Sequence, residues 1–237
     1  MYSHYKSIYL SLVIGIMLGF EPVFAATSAS EYRSIGLSYR ANERYSEAIA
    51  AFKKSVQLEP QNASGRVLLG WTQHLAGQEK AAAESLLPVI YNDPQYVPAL
   101  NALGIVYLVN GDVTAAVVTH TWAAMVKPNN EIAYYNLSLS LHQLKLYSLA
   151  VTAASEAAKL EPNNPHPLVA KSIAYWNLSD RTSAKLTYRQ ALNLDPRYSN
   201  AVFLEHLQKA AFSRQQIAIV KQVLLGYQLS KKKSRIF

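Results

Sequence analysis

Five of the ten prolines in this chain recur at a fixed interval of 34 residues. They are Pro60, Pro94, Pro128, Pro162 and Pro196, in the contexts LEP, NDP, VKP, LEP and LDP. A constant period of this length indicates one small structural unit used repeatedly, and such a unit buries its apolar face only by stacking on its neighbours. The sequence therefore predicts a solenoid.

Each unit has the pattern of a helical hairpin. Aligned on the prolines, the units are 29–62, 63–96, 97–130, 131–164 and 165–198, all within residues 26–198. Two apolar stretches at helical spacing flank a polar turn, such as NGDVT or LSDRT. The proline is expected to end the second helix, because it lacks an N–H donor and restricts the residue before it.

Small residues recur at one position of each helix. The first-helix position holds Gly36, Gly70, Gly104, Ser138 and Ser172, and the second-helix position holds Ala48, Ala82, Ala116, Ala150 and Ala184. Glycine inside a helix costs about 1 kcal/mol relative to alanine, so it is expected where another helix leaves no room for a side chain. We expect close antiparallel packing within each hairpin.

These positions together resemble the tetratricopeptide repeat, whose pattern is W-x2-L-G-x2-Y, then A-x3-F, then P. The first unit matches at Tyr32, Ile35, Gly36, Tyr39, Ala48, Phe52 and Pro60. The resemblance covers about 29–198 and departs from the pattern at Gln73, His120 and Leu141, among others. It implies an all-α, right-handed α-solenoid of five hairpins followed by a C-terminal capping helix pair.

Residues 199–230 are expected to form that cap as a degenerate sixth repeat. The stretch SNAVFLEHLQKAAF predicts another first helix, and SRQQIAIVKQVLLGYQLS predicts a second. Ser213 and Gln216 have the spacing of a capping box at the start of the second helix. Residues 231–237 follow as a basic tail.

Residues 1–25 have the pattern of a secretory signal peptide, with cleavage expected after Ala25. A retained membrane anchor is the alternative, but Glu21 interrupts the apolar run before the roughly twenty residues needed to span a bilayer. The expected location is the periplasm, or a thylakoid lumen if the source is photosynthetic.

No catalytic residue, metal site or cofactor is predicted. The chain has no cysteine, which excludes thiol catalysis and thiolate ligands, and its six histidines form no H-E-x-x-H arrangement. Phosphate-binding loops and nucleophile motifs are also absent, so we expect no enzyme activity. His120 stands where the repeat usually has Phe, and we expect it to be buried and hydrogen-bonded rather than a metal ligand.

The resemblance implies that the first helices line a concave face that binds peptide segments. Amides can hydrogen-bond a peptide backbone, and aromatic rings offer contact area at low entropic cost. The candidate groove residues of both kinds are Trp71, His74, Asn101, Tyr135, Asn136, His142, Gln143, Trp176 and Asn177. The alternative for each is packing between neighbouring hairpins.

The chain carries a net charge of +8, and the excess lies near its end. The tail residues Lys231, Lys232, Lys233 and Arg235 have three possible roles: a solvated charge run, contact with an anionic membrane surface, or binding to nucleic acid. Nucleic acid is disfavoured, because the groove lacks a basic stripe.

The sequence thus predicts an exported scaffold that binds an extended segment of a protein partner and assists assembly of an envelope or membrane-associated complex. Two alternatives remain open at this point. One is a chaperone-like holdase for exported chains, and the other is a non-catalytic accessory subunit of an envelope enzyme.

Overall fold

The computed structural model describes residues 28–233, with side chains through Lys231. The predicted signal peptide lies outside these residues, as do Arg235 and the side chains of Lys232 and Lys233. All regular structure in 28–233 is helical, as the sequence predicted. None of its helices is both long and apolar enough to cross a membrane.

Ten α-helices form the five predicted hairpins. The pairs are α1 (Ala29–Ala41) with α2 (Tyr45–Leu58), α3 (Ala63–Leu75) with α4 (Glu79–Asn92), α5 (Val97–Asn110) with α6 (Val113–Val126), α7 (Glu131–Gln143) with α8 (Tyr147–Leu160), and α9 (Pro165–Asn177) with α10 (Arg181–Leu194). Every second helix ends two residues before its proline. Each hairpin packs on the next, so the core runs along the stack.

The turn inside each hairpin contains one residue in the left-handed region, and these residues also recur every 34 positions. They are Glu43, Gly77, Gly111, Lys145 and Ser179, with φ between 57° and 87°. Only two are glycine, although a side chain costs roughly 1–2 kcal/mol in this conformation. The repeat therefore imposes one backbone geometry on five different turn sequences.

Replacing Lys145 with glycine should stabilise the fold by about 0.5–1 kcal/mol, because glycine adopts its φ of 62° without a Cβ clash. Chemical denaturation of parent and K145G measures the change. The control is K145A, which removes the same charge but keeps a Cβ and should give no such gain. Equal gains in both variants would show that the charge, and not the backbone, is responsible.

The glycines at the repeated first-helix position are required chiefly by large side chains of the second helix. A Cβ at Gly36 would lie 2.7 Å from the Phe52 ring, and one at Gly70 would lie 2.7 Å from Leu86. These partners stand four residues after the alanine that the sequence singled out. The alanines are all buried, but the closest contact between the two helices is made by the glycine and the bulky side chain.

His120 occupies this bulky position in the third hairpin, against Gly104. A Cβ at residue 104 would overlap the imidazole. His120 is fully buried, as predicted, but the prediction of hydrogen bonding was wrong, since neither ring nitrogen has a partner among the described residues. Burial lowers the pKa of His120 to about 3, so the ring is neutral at physiological pH.

Replacing His120 with Phe should stabilise the fold by about 1–3 kcal/mol at neutral pH, since it removes unsatisfied buried polar atoms. Phe52 packs against Gly36 in the first hairpin, which shows that a Phe ring fits at this position of the repeat. Between pH 6.5 and about 3 the unfolded His120 binds a proton that the folded one does not. The parent should therefore lose about 1.4 kcal/mol more per pH unit than H120F on acidification. Denaturation at several pH values tests this, and parallel pH profiles would contradict it.

The C-terminal cap differs from the predicted helix pair. The expected first helix is replaced by two 3-10 helices, Pro196–Ser199 and Phe203–Ala210. Apolar residues at 204, 207 and 210 recur every three positions, which suits the three-residue turn of a 3-10 helix. The second expected helix is present as α11 (Arg214–Lys233). Its capping box is confirmed, because Gln216 N donates to Ser213 Oγ and Ser213 N donates to Gln216 Oε1.

Candidate partner-binding surface

The first helices α1, α3, α5, α7 and α9 form a row in which each helix touches the next one. The second helices contact one another far less. Because the row of first helices is the more closely spaced, it forms the inner side of the curved stack. The predicted groove residues are all on these helices.

The chain's own C-terminal segment, residues 196–231, lies across the inner side at α7 and α9. The Tyr135 hydroxyl donates to the Ala210 carbonyl at 2.5 Å, and Gln216 Nε2 donates to the Leu139 carbonyl at 3.0 Å. Apolar residues of α11 join one buried cluster with residues of α7 and α9; on α11 these are Ile217, Val220, Val223 and Leu224. The segment is thus part of the core.

Trp176 at the end of α9 is held by the same segment. Its indole N–H donates to Gln222 Oε1 at 3.2 Å, and Gly226 packs on the ring so closely that a Cβ there would lie 2.8 Å away. The Arg181 guanidinium lies 3.8 Å from the ring centroid. This tryptophan therefore anchors α11 to the solenoid.

Asn136 and His142 have almost no surface to offer a partner, since they are 3% and 5% exposed. Asn136 Nδ2 donates to the Ile132 carbonyl within its own helix at 3.0 Å. His142 lies against Gln216 of α11 and is 3.2 Å from the amide of Asn177, and burial lowers its pKa to about 4. These contacts remove Asn136 and His142 from the candidate groove.

The remaining predicted residues fall into two groups. Tyr135, Trp176 and Asn177 contact the C-terminal segment or His142, and the half-buried Gln143 is the last residue of α7. Trp71, His74 and Asn101 lie on α3 and α5, toward the N-terminal half of the stack. Of this second group, Trp71 and Asn101 line an open cleft.

The open cleft has a volume of about 420 Å³ and lies between α3, α5 and the start of α7. Its apolar walls come from Val67, Trp71, Pro98, Ile105 and Ile132. Lys127 and Glu131 stand in its lining with opposite charges. We call this site the α3–α5 cleft.

One side of the cleft is fixed by a pair of amides. Asn130 Nδ2 donates to Asn101 Oδ1 at 2.9 Å, and Asn101 Nδ2 donates to Asn130 Oδ1 at 3.3 Å. Asn130 is also the N-cap of α7. These two bonds fix the orientation of the Asn101 amide at the edge of the cleft.

Trp71 is fixed on the opposite side. Its ring centroid lies 5.0 Å from that of His74, and His74 Nδ1 lies 2.8 Å from Glu79 Oε2 at the start of α4. Both side chains of this contact are largely buried. The His74–Glu79 contact therefore links the two helices of the second hairpin behind the cleft tryptophan.

Sequence reasoning missed part of the cleft lining, including Pro98, Ile105, Asn130 and Ile132. Asn62, Asn130 and Asn164 share one register position, and all three cap the helix that follows. That recurrence indicates a cap but does not reveal the bond from Asn130 to Asn101. Within residues 28–233 no three His, Asp or Glu side chains are grouped as a metal ion would require.

Comparison with known families agrees with this architecture. Models described as Tetratricopeptide repeat match residues 39–104, and also 132–164 and 166–198. No curated protein is significantly similar in sequence to the chain.

Several solved structures share the fold. A crystal structure of MamA has a TM-score of 0.62 at 23% identity, and covers 72% of this chain and 93% of its own. MamA from Desulfovibrio magneticus RS-1, residues 41 to the end, gives a TM-score of 0.65 at 18% identity, with 72% and 97% covered. A thermophilic TPR protein from Thermus thermophilus gives 0.62 at 20%, with 77% and 98% covered. Together, the repeat matches, the hairpin stack and these shared folds show that the chain belongs to the tetratricopeptide repeat family.

Proposed function

We propose that this protein is a non-enzymatic interaction scaffold whose α3–α5 cleft captures an apolar side chain of an extended partner segment. The main observation in support is that the cleft is an open part of the inner side, whereas α7 and α9 are covered by the chain's own C-terminal segment. Proteins of this family bind other proteins, which supports the general role.

The chemistry of the cleft favours an apolar ligand group. Its volume lies within the range of about 300–1,000 Å³ that is usual for ligand clefts. Val67, Ile105 and Ile132 present apolar area, and burial of such area contributes about 25 cal/mol per Å². Since Lys127 and Glu131 balance each other in charge, the cleft selects neither an acidic nor a basic segment.

Trp71 should be the main contributor to this binding, since a rigid tryptophan in a preformed cleft is typical of interface residues that carry most of the energy. Trp71→Ala is expected to cost about 2 kcal/mol, about a 30-fold weaker affinity for the partner. The partner is identified from a native envelope fraction by photo-crosslinking from position 105, within the cleft. Its affinity for the parent and W71A chains is then measured by calorimetry.

The matched control is Tyr91→Ala, which removes an exposed aromatic from α4 outside the cleft lining and should leave affinity unchanged. Crosslinks to one apolar segment of one protein would support a scaffold. Crosslinks to many unrelated unfolded chains would support the holdase alternative. Full affinity of W71A would contradict the cleft as the binding site.

The proposed setting is the periplasm or an equivalent lumen, where the scaffold assists assembly of an envelope or membrane-associated complex. This part of the proposal depends on the signal-peptide pattern of residues 1–25. Recovery of the chain from the cytoplasmic fraction with those residues intact would contradict it.

A second contact, with an anionic membrane surface, is proposed for the end of the chain. Glu205 is the last acidic residue, and seven Lys and Arg residues follow it. On α11, Leu225 and Leu229 are both more than half exposed and lie one helical turn apart, close to Lys231 in sequence. Exposed leucines next to basic residues fit an anionic lipid surface, in which apolar side chains insert while the cations meet headgroups.

Replacing Lys231, Lys232 and Lys233 with Gln should weaken binding to phosphatidylglycerol vesicles by roughly a hundredfold, at about 1 kcal/mol per Lys. Co-sedimentation at low and high salt measures this. The control is K53Q/K54Q/K80Q, which removes three exposed lysines from α2 and α4. Equal binding by the parent and the tail variant would contradict the membrane contact.

A further inference from the structure

The inner side of the stack continues beyond the α3–α5 cleft onto α1. Arg33, Leu37 and Arg40 lie at intervals of four and three residues, so they share one stripe of this helix. Val67 and Trp71 follow Arg33 and Leu37 by one repeat, and both line the cleft. Because α1 packs directly on α3, the stripe borders the cleft on its N-terminal side. We call Leu37 and Arg40 the α1 edge.

The apolar surface of the cleft extends to Leu37. This leucine occupies the same position of the repeat as Trp71 and Ile105, which both line the cleft. Leu37 is 40% exposed, whereas its counterpart Leu139 on α7 is fully buried. Leu139 belongs to the apolar cluster that the C-terminal segment completes. Leu37 therefore remains available to a partner.

Arg40 is the charged residue of the α1 edge, and it lacks the contacts that the comparable arginines have. Arg33, Arg40 and Arg66 are the half-buried arginines of residues 28–231. Arg33 Nη1 donates to Glu59 Oε2 at 2.7 Å, and Arg66 Nε donates to the Pro60 carbonyl at 2.8 Å. Within the described part of the chain, no hydrogen-bond acceptor or carboxylate contacts the Arg40 guanidinium, and burial lowers its pKa.

A guanidinium in this situation is suited to bind a carboxylate. It stays charged when partly buried, and its N–H donors form a planar fork. A carboxylate accepts from this fork at both of its oxygens, and such charge-assisted bonds are roughly twice as strong as neutral ones. An acidic ligand would thus supply to Arg40 the contact that Glu59 supplies to Arg33.

We propose that Arg40 binds an acidic side chain of the same partner segment whose apolar side chain occupies the α3–α5 cleft. This inference rests on the proposed function and adds the charge that the partner must carry. Within the cleft itself, Lys127 and Glu131 balance each other in charge. Selection for an acidic segment therefore comes from the α1 edge, outside the cleft lining.

The repeat geometry sets the spacing of the two groups on the partner. Neighbouring packed helices lie about 8–10 Å apart, and α1 is one such step from Trp71. Arg40 lies three residues beyond Leu37, the counterpart of Trp71, which adds about 4.5 Å along the helix axis. The resulting distance of roughly 10 Å corresponds to about three or four residues of an extended chain. We therefore expect an acidic residue at that spacing from an apolar one.

A random library of short phage-displayed peptides tests this expectation. Peptides selected by the parent chain should carry Asp or Glu about three or four positions from a large apolar residue. Arg40→Gln should still select the apolar residue but lose the acidic preference. The substitution breaks no contact within the described part of the chain, so the fold should stay intact, which circular dichroism checks. Arg189→Gln, at an exposed site on α10, is the matched control and should select the same peptides as the parent.

Calorimetry with the strongest selected peptide gives an independent measurement. Replacing its acidic residue with the corresponding amide should weaken binding to the parent about tenfold, because a charge-assisted hydrogen bond is lost. The same exchange should not change binding to R40Q. An equal effect of the exchange on both chains, or selected peptides without an acidic preference, would overturn the role of Arg40.

The W71A variant separates this inference from the proposed function. If W71A loses the selected peptides while R40Q keeps the acidic preference, the role of Arg40 is overturned and the cleft stands as the binding site. If W71A binds the peptides as well as the parent does, or if the parent selects no peptide, the cleft is contradicted and the inference about Arg40 fails with it.

Discussion

The fold depends on one contact that recurs in the first three hairpins. A glycine on the first helix leaves room for a bulky side chain of the second helix, so the two helices cross closely. Gly36 meets Phe52, Gly70 meets Leu86, and Gly104 meets His120. This contact brings two helices together tightly enough to leave one apolar side for the next hairpin. Stacking then buries that side, and the proline ends each second helix at the same place. In the third hairpin, the imidazole of His120 fills the bulky position although its nitrogens have no hydrogen-bond partner among the described residues. The helix crossing is therefore preserved at a cost in stability.

The curvature of the stack determines which surfaces remain for partners. The row of first helices is the inner side, and the chain itself uses the C-terminal half of this side to bury α11. Covering α7 and α9 with Ile217, Val220 and Val223 ends the solenoid without leaving an apolar face in water. The α3–α5 cleft next to Trp71 stays open. Under the proposed function, such a scaffold would recognise a short segment and not a long peptide laid along all five hairpins.

The inner and outer sides provide two different kinds of surface. The α3–α5 cleft is narrow, with one tryptophan held by its neighbours, and fits a single apolar group. The outer side carries a groove of about 610 Å³ between α6 and α8, lined by apolar residues and by Glu156 of α8.

The sequence by itself determined the five hairpins, their boundaries at the prolines and the need for close crossings, because each of these is written locally and repeated every 34 residues. It also located Trp71 and Asn101 on the inner side. It could not show that residues 196–231 fold back over α7 and α9, because that depends on contacts such as Gln216 with Leu139, between residues far apart in the chain. For the same reason, only the tertiary structure revealed that Asn136 and His142 are buried, that Asn101 is paired with Asn130, and that a groove opens beside α6. The 34-residue period specifies the hairpin unit. The C-terminal segment, by packing on α7 and α9, decides which faces of the stack stay open.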